Sequence, residues 1–386
     1  MVDSAKPPLE LVLQLCAQAA PEPWYPSVYA KENGADRERL DPYLDQLRMG
    51  GLIHLTDWVQ GRGQGYALTP AGEEVVHNPQ QMARLLAGKL SVRDSGSPGA
   101  NAPGSPRESR AAPTTWEKGE AVRQGLNPVT PVVTYVLLLA NILVFLAGSL
   151  TGVRERIPLK DFIIGNSDIV HETGGVTAFD LLQGQWWRLI SSMFVHIGLV
   201  HLGLNMYALS VLGQMAERIW GRLRFLVIYF LAGFGGSCVA MALRPGSIEE
   251  RGIVYVLLAG ASGAICGIFA AEAGWVYLNR QHLPTQLFLA WQRNFVINLI
   301  ILIYMSFSIT GVSWEGHLGG ALAGLVVAFF LNRFQFEWGI RRWIAIGGVL
   351  VVPVICFGFL LRAMDSSQKW QPFVQFVQQR NQASMR

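Results

Sequence analysis

Seven runs of mostly apolar residues, each about as long as a membrane is thick, constrain this chain more than any other feature. They cover about 129–150, 199–219, 224–243, 256–278, 294–310, 314–332 and 342–361. A helix needs about 20 such residues to cross a hydrocarbon core of about 30 Å. Only 15% of the 386 residues are charged, whereas soluble domains carry about a quarter. The sequence therefore predicts an all-α, polytopic membrane protein with seven spans.

The first 90 residues have a different pattern, which is that of a small soluble domain. Two helical segments, LELVLQLCAQAA and LDPYLDQLRMGGLI, precede LIHLTDWV, the turn GRGQG and YALTPAGEEVV. Helices followed by a hairpin and another helix predict an α+β domain of the winged-helix type. Acidic residues outnumber basic ones there, which argues against nucleic acid as its partner. We expect a cytoplasmic domain that contacts another protein or self-associates.

Composition also sets the boundaries of the remaining parts. Residues 91–115 are rich in Ser, Pro, Gly and Ala, and such a composition is typical of a flexible linker. We therefore expect four parts, namely a domain at 1–90, a linker at 91–128, a six-span core at 129–335, and the seventh span with a tail at 336–386.

Loop charges predict the orientation in the membrane. Arginines concentrate in the loops after the second, fourth and sixth runs, and cytoplasmic loops generally carry the excess of Lys and Arg. The chain opens with MVDSAKPPLE, where no apolar core of a cleavable signal follows. We expect a multi-pass protein of the bacterial inner membrane with its N-terminus in the cytoplasm and its lipid-facing surface in the bilayer.

Three runs carry polar groups near the ends that face outward in this orientation. At about 1.5 Å per residue, His201, Ser262 and His317 lie at one depth, a short way below the outer surface. Asn205 follows His201 one turn deeper on the same helical face. Polar residues inside a membrane are costly and usually functional, so we expect these four side chains to form one site.

Stripes of small residues provide a way to bring two of these runs together. They consist of Gly263 and Gly267 on the fourth run and of Gly316, Gly320 and Gly324 on the sixth. Such stripes let helix backbones pack closely, which would bring Ser262 within hydrogen-bond reach of His317. A serine beside a histidine base is an activated nucleophile. His201, Asn205 and the backbone N–H of Ser262 could then stabilise an oxyanion.

These residues carry a resemblance to a known family. HxxxxHxxxN from His196 to Asn205, GxSG around Ser262 and the glycine-flanked His317 resemble the motifs of the rhomboid intramembrane serine proteases. The Trp187-Arg188 pair and Glu217 match further family positions, and the similarity covers about 129–335.

The resemblance implies a six-helix bundle, to which the seventh run is an addition. It implies a Ser262–His317 dyad without an acidic third member, and an oxyanion and substrate-binding group of His201, Asn205 and Gly260. The implied substrate is the transmembrane segment of another membrane protein, which enters past the fifth span. The implied structural supports are His196, Trp187, Arg188, Glu217, Gly263, Gly267 and Gly320.

Two positions depart from the family pattern. Cys266 stands where the family commonly has an aromatic residue on which the histidine rests, and WEG precedes His317 in place of a small or amide pattern.

Other functions find less support in the sequence. Three histidines could bind a metal, but HExxH is absent, and the four cysteines form no CxxC pair. An aspartyl intramembrane protease needs two carboxylates within its spans. The candidates are Glu217 and Glu272, and both lie toward the inner ends of their runs, so this class of protease is not indicated. A transporter would be expected to show two corresponding halves, and the sequence has no such internal repeat. We expect neither cofactor nor metal, and the alternative function is a rhomboid-like protein that binds and escorts membrane proteins without cutting them.

Overall fold

The computed structural model describes residues 9–59, 61–88, 90, 122, 129–154, 165–249, 252–283, 285–308, 312–337 and 339–384. The linker predicted at 91–128 lies outside these residues, apart from Val122. The chain divides into two units. The first contains Met1–Leu126, Asn279–Trp291 and Phe336–Trp338, and the second contains Asn127–Leu278, Gln292–Gln335 and Gly339–Arg386.

The N-terminal domain has the predicted order of helices, hairpin and helix. Its elements are α1 (Leu9–Ala19), α2 (Pro26–Asn33), α3 (Asp41–Met49), β1 (Ile53–Val59), β2 (Gly63–Leu68), α4 (Pro70–His77) and α5 (Pro79–Leu86). The strands pair antiparallel, with Ile53 opposite Leu68. Thr69 and Asn78 cap α4 and α5 through their side-chain oxygens, as such residues do at helix starts. The small α+β fold predicted for this part is confirmed.

The first unit also includes a segment that is distant in sequence. A 3-10 turn at Arg280–His282 meets the end of α3, where the Nδ1 of His282 lies 2.9 Å from the carbonyl oxygen of Met49. Arg48 donates to the carbonyl oxygen of Leu283 over 2.9 Å. His282 and Leu283 are both buried, so residues 280–283 are part of the packed structure of this unit.

A long helix lies in each of the seven apolar runs. These helices are α6 (Val132–Arg154), α10 (Gly198–Trp220), α11 (Arg222–Leu243), α12 (Ser262–Leu278), α13 (Thr285–Ser308), α14 (Trp314–Phe336) and α15 (Ile340–Ser366). Within the described residues, five of them are long and apolar enough to cross a membrane, namely α6, α10, α11, α14 and α15. The α12 helix has 17 residues, and the apolar stretch of α13 is Phe288–Tyr304. The predicted helical, multi-pass membrane architecture is confirmed.

The fourth run begins differently from the prediction. Residues 256–261 are not helical, and Leu258 exchanges backbone hydrogen bonds of 2.9 and 3.0 Å with Val176. Gly260 has a φ of +119°, which favours glycine, and the helix starts only at Ser262. The predicted start at residue 256 is wrong, because an apolar segment suits a buried extended chain as well as a helix. An unpredicted hairpin of β3 (Gly246–Glu249) and β4 (Gly252–Tyr255) precedes it.

The loop between the first and second spans is folded. It contains the short helices α7 (Ser167–Thr173), α8 (Ala178–Leu182) and α9 (Arg188–Ser191). Thr177 and Asp180 form a reciprocal capping box at the start of α8. This ordered loop carries Val176, which pairs with the extended segment ahead of Ser262.

A further helix, α16 (Gln371–Ser384), follows the seventh span. The Trp370 indole N–H donates to the carbonyl oxygen of Met241 over 3.2 Å. The Phe373 ring packs 5.3 Å from that of Phe179 in α8. The region predicted only as a tail is therefore a helix whose first turn is buried against the first loop and α11.

Candidate active site

The fourth and sixth spans are in direct backbone contact. A Cβ added at Gly320 would overlap the carbonyl oxygen of Gly263, and one added at Gly324 would lie 2.5 Å from the Cα of Gly267. The carbonyl oxygen of Gly316 lies 3.4 Å from the position of a Cβ on Gly263. Gly320 and Gly324 thus leave no room for a Cβ against the fourth span, whereas a Cβ on Gly263 would make an ordinary van der Waals contact. This close approach is what the small-residue stripes predict.

Ser262 and His317 lie next to this contact. Ser262 is the first residue of α12 and precedes Gly263, while His317 is the fourth residue of α14 and follows Gly316. Among the residues that the structure describes, Ser262 and His317 share no hydrogen bond. Catalytic hydrogen bonds are often long without substrate and tighten in the complex. The two side chains therefore stand on neighbouring turns of packed helices, unbonded to one another.

The backbone N–H of Ser262 has no acceptor within its own helix. The first four N–H groups of an α-helix lack intrahelical partners, and the first bond of α12 runs from Ile265 to the carbonyl oxygen of Ala261. If the helix began at residue 256, as the apolar run predicts, the carbonyl group of Leu258 would accept from Ser262. That carbonyl instead accepts from Val176, which leaves the Ser262 N–H for another acceptor.

His201 lies against Gly260, close to the serine. A Cβ on Gly260 would be 2.9 Å from the Nε2 of His201 and 3.8 Å from the Oγ of Ser262. The Nδ1 of His201 accepts the backbone N–H of Ile197 over 3.2 Å. Because one nitrogen of a neutral imidazole accepts and the other carries the proton, the His201 proton sits on Nε2. His201 thus presents an N–H donor beside Gly260.

Asn205 lies one turn below His201 on α10. Its Nδ2 donates to the carbonyl oxygen of His201 over 2.8 Å, and the side chain is buried. An amide nitrogen carries two hydrogens, so this bond occupies one of them and leaves the second for a further acceptor.

His196 is buried in the loop ahead of α10, and its Nδ1 donates to the carbonyl oxygen of Phe194 over 3.3 Å. Its ring centre lies 5.2 Å from that of His201. Burial, and secondly the neighbouring His201, lower the pKa of His196 to about 3. His196 is therefore neutral at physiological pH and packs against a residue of the site.

Arg188 ties the first loop together. Its Nη1 donates to the carbonyl oxygens of His171 and Gly175 over 2.6 and 2.7 Å. Its guanidinium carbon lies 4.7 Å from the ring centre of Trp187, a side chain that is 56% exposed. Because Gly175 precedes Val176, Arg188 supports the loop at the point where it pairs with the segment leading to Ser262.

Glu217, near the C-terminal end of the second span, connects that end to the start of the first span. Its buried carboxylate accepts the backbone N–H groups of Val133 and Thr134 over 3.0 and 2.9 Å. These are helix-start N–H groups of α6, which need outside acceptors. The sequence indicated a helix-end carboxylate beside Arg218 and Arg222, and the structure shows that the helix end in question belongs to the first span.

Sequence reasoning did not select Ser306, which the structure brings to His317. The Oγ of Ser306, on α13, lies 2.6 Å from the Nδ1 of His317. Ser306 lies near the C-terminal end of the fifth run and His317 near the N-terminal end of the sixth. The short loop between these two ends was the available signal. Cys266 is a buried free thiol on α12. No three of the described His, Cys, Asp and Glu residues are grouped as a metal site would require.

Comparison with known proteins gives consistent results. Residues 183–334 match the family model described as the Rhomboid domain. The chain is 30% identical to the Rhomboid protease GluP of Bacillus subtilis (strain 168), over 52% of this chain and 35% of that protein. It is 32% identical to the Rhomboid protease AarA of Providencia stuartii, over 38% of this chain and 56% of the relative. The chain thus spans about a third to just over half of the length of these relatives.

Proposed function

Since this chain is a rhomboid-family protein with a multi-pass membrane core, we propose that it is an intramembrane serine endopeptidase. Its substrates are other membrane proteins, which it cuts within or next to a transmembrane segment. The observation that carries the proposal is the backbone contact of α12 with α14 beside Ser262 and His317. Two relatives that are named as rhomboid proteases lend it further support.

The chemistry follows from the two side chains of the dyad. His317 accepts the proton of the Ser262 hydroxyl while Oγ bonds to the scissile carbonyl carbon. The C–N bond then breaks, and His317 gives that proton to the leaving amine. Water attacks the resulting ester, and its proton passes through His317 to Oγ as the acyl group leaves. The serine proton leaves on the amine and a proton from water replaces it on Oγ, so His317 ends neutral and the enzyme is regenerated without a cofactor.

Three donors are proposed to hold the oxyanion of the tetrahedral intermediate. They are the Nε2–H of His201, the second amide hydrogen of Asn205 and the backbone N–H of Ser262. Donors that are fixed before the reaction stabilise developing charge most effectively. Gly260 lets the His201 ring lie against the backbone so closely that no Cβ would fit between them, which keeps the Nε2–H of His201 near Ser262.

The proposed site lies below the outer surface of a bacterial inner membrane, with the N-terminus in the cytoplasm. A client would enter sideways past α13, whose apolar side chains Ile297, Ile300, Ile301 and Tyr304 are exposed. A helical client must unwind to present its carbonyl group, so clients with Gly or Pro near the cut are favoured. Equal cleavage of clients without such residues would contradict this preference.

One observation keeps the escort function as the second candidate. Ser262 and His317 share no hydrogen bond among the described residues. Cys266 also stands at the position where the family commonly has an aromatic residue that supports the histidine. A protein that bound transmembrane segments without cutting them would need no such bond.

The test uses the purified full-length protein in lipid nanodiscs with a single-span reporter. Ser262→Ala and His317→Ala should both abolish cleavage, and both should lose the reaction of Ser262 with a fluorophosphonate that wild type shows. Ser210→Ala is the matched control, because among the described residues that hydroxyl bonds to its own helix, at Tyr207. Co-purification of an uncut client with the folded wild type would favour the escort function. Cleavage that survives Ser262→Ala would overturn the mechanism.

A further inference from the structure

The hydroxyl group of Ser306 makes two hydrogen bonds at the outer end of α13. Its Oγ lies 2.7 Å from the carbonyl oxygen of Leu302 in the same helix and 2.6 Å from the Nδ1 of His317 in α14. The side chain is 7% exposed, so water does not compete freely for either bond.

The chemistry of these partners decides where the protons are. A hydroxyl has one proton to donate, and a carbonyl oxygen can only accept, so the bond to Leu302 uses that proton. Serines in helices commonly donate to the carbonyl group four residues earlier in this way. The bond between Ser306 and His317 then requires a proton on Nδ1, which leaves the lone pair of His317 on Nε2.

We infer that Ser306 is a positioning residue that orients His317 and holds it in the tautomer whose Nε2 accepts a proton. This inference rests on the proposed function, in which that proton comes from Ser262. The nitrogen bound to Ser306 is occupied, so Nε2 is the nitrogen available to Ser262. When His317 becomes an imidazolium, its Nδ1–H continues to donate to the same oxygen, and the bond persists through the reaction.

The surroundings of His317 explain why a hydroxyl takes this role. The acidic residue nearest in sequence, Glu315, faces Ser313, whose Oγ donates to it over 3.2 Å. The position from which an aromatic ring supports the histidine in the family holds the smaller Cys266. The group that restrains the imidazole is therefore a neutral hydroxyl, and neither a carboxylate nor an aromatic ring.

The location of Ser306 links this restraint to the fifth span. The rings of Phe295 on α13 and Phe269 on α12 stack with centres 4.6 Å apart. Ser306 lies three turns further along α13 and bonds to α14. Any movement of the outer end of α13 that breaks the hydrogen bond between Ser306 and His317 allows His317 to adopt the other tautomer.

The test combines kinetics with a direct measurement of the tautomer. Ser306→Ala should lower kcat about ten- to a hundredfold, the range expected for a misplaced catalytic group, with KM unchanged. Ser306→Thr, which keeps a hydroxyl, should recover most of the loss. Ser149→Ala is the matched control, because Ser149 makes the same bond to its own helix, at Phe145 over 2.9 Å, in the first span. That variant should cut at the wild-type rate.

The tautomer is read by long-range 15N–1H NMR on the full-length protein labelled at histidine, with His317→Gln used for assignment. Nδ1 of His317 should be protonated and Nε2 unprotonated, and Ser306→Ala should mix the two states. The same measurement is made on Ser262→Ala, which cuts nothing. Because the tautomer is read without any cleavage, the inference is tested even if the wild type cuts no reporter. An unchanged His317 tautomer in Ser306→Ala, or unchanged kcat in an active enzyme, would overturn the inference.

Discussion

The carboxylate of Glu217, near the C-terminal end of the second span, accepts the backbone N–H of Thr134, at the start of the first span, over 2.9 Å. The same group also accepts the N–H of Val133 and the hydroxyl of Thr134. A helix start that is buried without acceptors is costly. One side chain therefore caps the start of the first span and joins the first span to the second.

Replacing this carboxylate should destabilise the fold without touching the candidate site. Glu217→Gln substitutes a donor for one oxygen, so a buried N–H of α6 faces an N–H. We expect a loss of about 1–3 kcal/mol in the free energy of unfolding, measured as a lower melting temperature in detergent. Arg222→Gln is the control. Its guanidinium lies 3.6 Å from Glu217 but is 64% exposed, and exposed pairs contribute about 0–1 kcal/mol. Equal effects of the two substitutions would contradict this role of Glu217.

A methyl group at Gly320 should separate the fourth and sixth spans. Gly320→Ala places a Cβ onto the carbonyl oxygen of Gly263, and overpacking costs about 1–3 kcal/mol. We expect a lower melting temperature and weaker cleavage together. Gly347→Ala adds the same group to α15 with nothing within 4 Å, so it should retain wild-type stability and activity. A Gly320→Ala protein as stable and active as Gly347→Ala would show that the helices are not held in backbone contact.

A side chain at Gly260 should block the site beside the serine. Gly260→Ala meets the His201 ring, with Cε1 2.7 Å away, and forces a φ of +119° on a residue with a Cβ. Gly184→Ala, in the first loop, shares the backbone strain at a φ of +81° but has open space around its Cβ. We expect Gly260→Ala to lose cleavage while Gly184→Ala loses only about 1–2 kcal/mol of stability. Cleavage assays and melting curves of both variants separate strain from obstruction.

Removal of one oxyanion donor should lower kcat alone. Asn205→Ala should reduce kcat about 10²–10³-fold, the usual effect of such a donor, because the lost amide acts in the transition state. Gln214→Ala removes an amide with the same bond to its own helix, from Nε2 to the carbonyl oxygen of Ser210 over 2.8 Å, further down α10. Full activity is expected of that control. A kcat for Asn205→Ala within a few-fold of the control would remove Asn205 from the oxyanion group.

His196 should make the protein less stable in mild acid. Its pKa is about 3 in the folded protein because it is buried, against about 6.5 when unfolded. The unfolded state therefore binds more protons, and stability falls as the pH drops from about 6.5 toward 3. At pH 5 this one group costs about 2 kcal/mol. His196→Asn should show a smaller drop in melting temperature between pH 7.5 and pH 5, and an equal drop would contradict the assignment.

The sequence predicted well those features that depend on local composition. Long apolar runs predicted the helices, and the glycine stripes indicated which two spans touch, since Gly320 and Gly324 leave no room for a Cβ against the fourth span. The helix start at Ser262 was missed because it depends on Val176, about 80 residues away, which pairs with Leu258. Ser306 was missed because a serine in an apolar helix most often bonds only to its own backbone.

The contact of α3 with residues 280–283 has a practical meaning for anyone who shortens this protein. Arg48 donates to the carbonyl oxygen of Leu283, and the carbonyl oxygen of Met49 lies within hydrogen-bond distance of His282. Removing the first 90 residues would strip that cover from the connection between the serine-bearing helix and the next one. A core produced without its N-terminal domain therefore exposes residues 280–283 to water, and its behaviour should not be taken as that of the full-length protein.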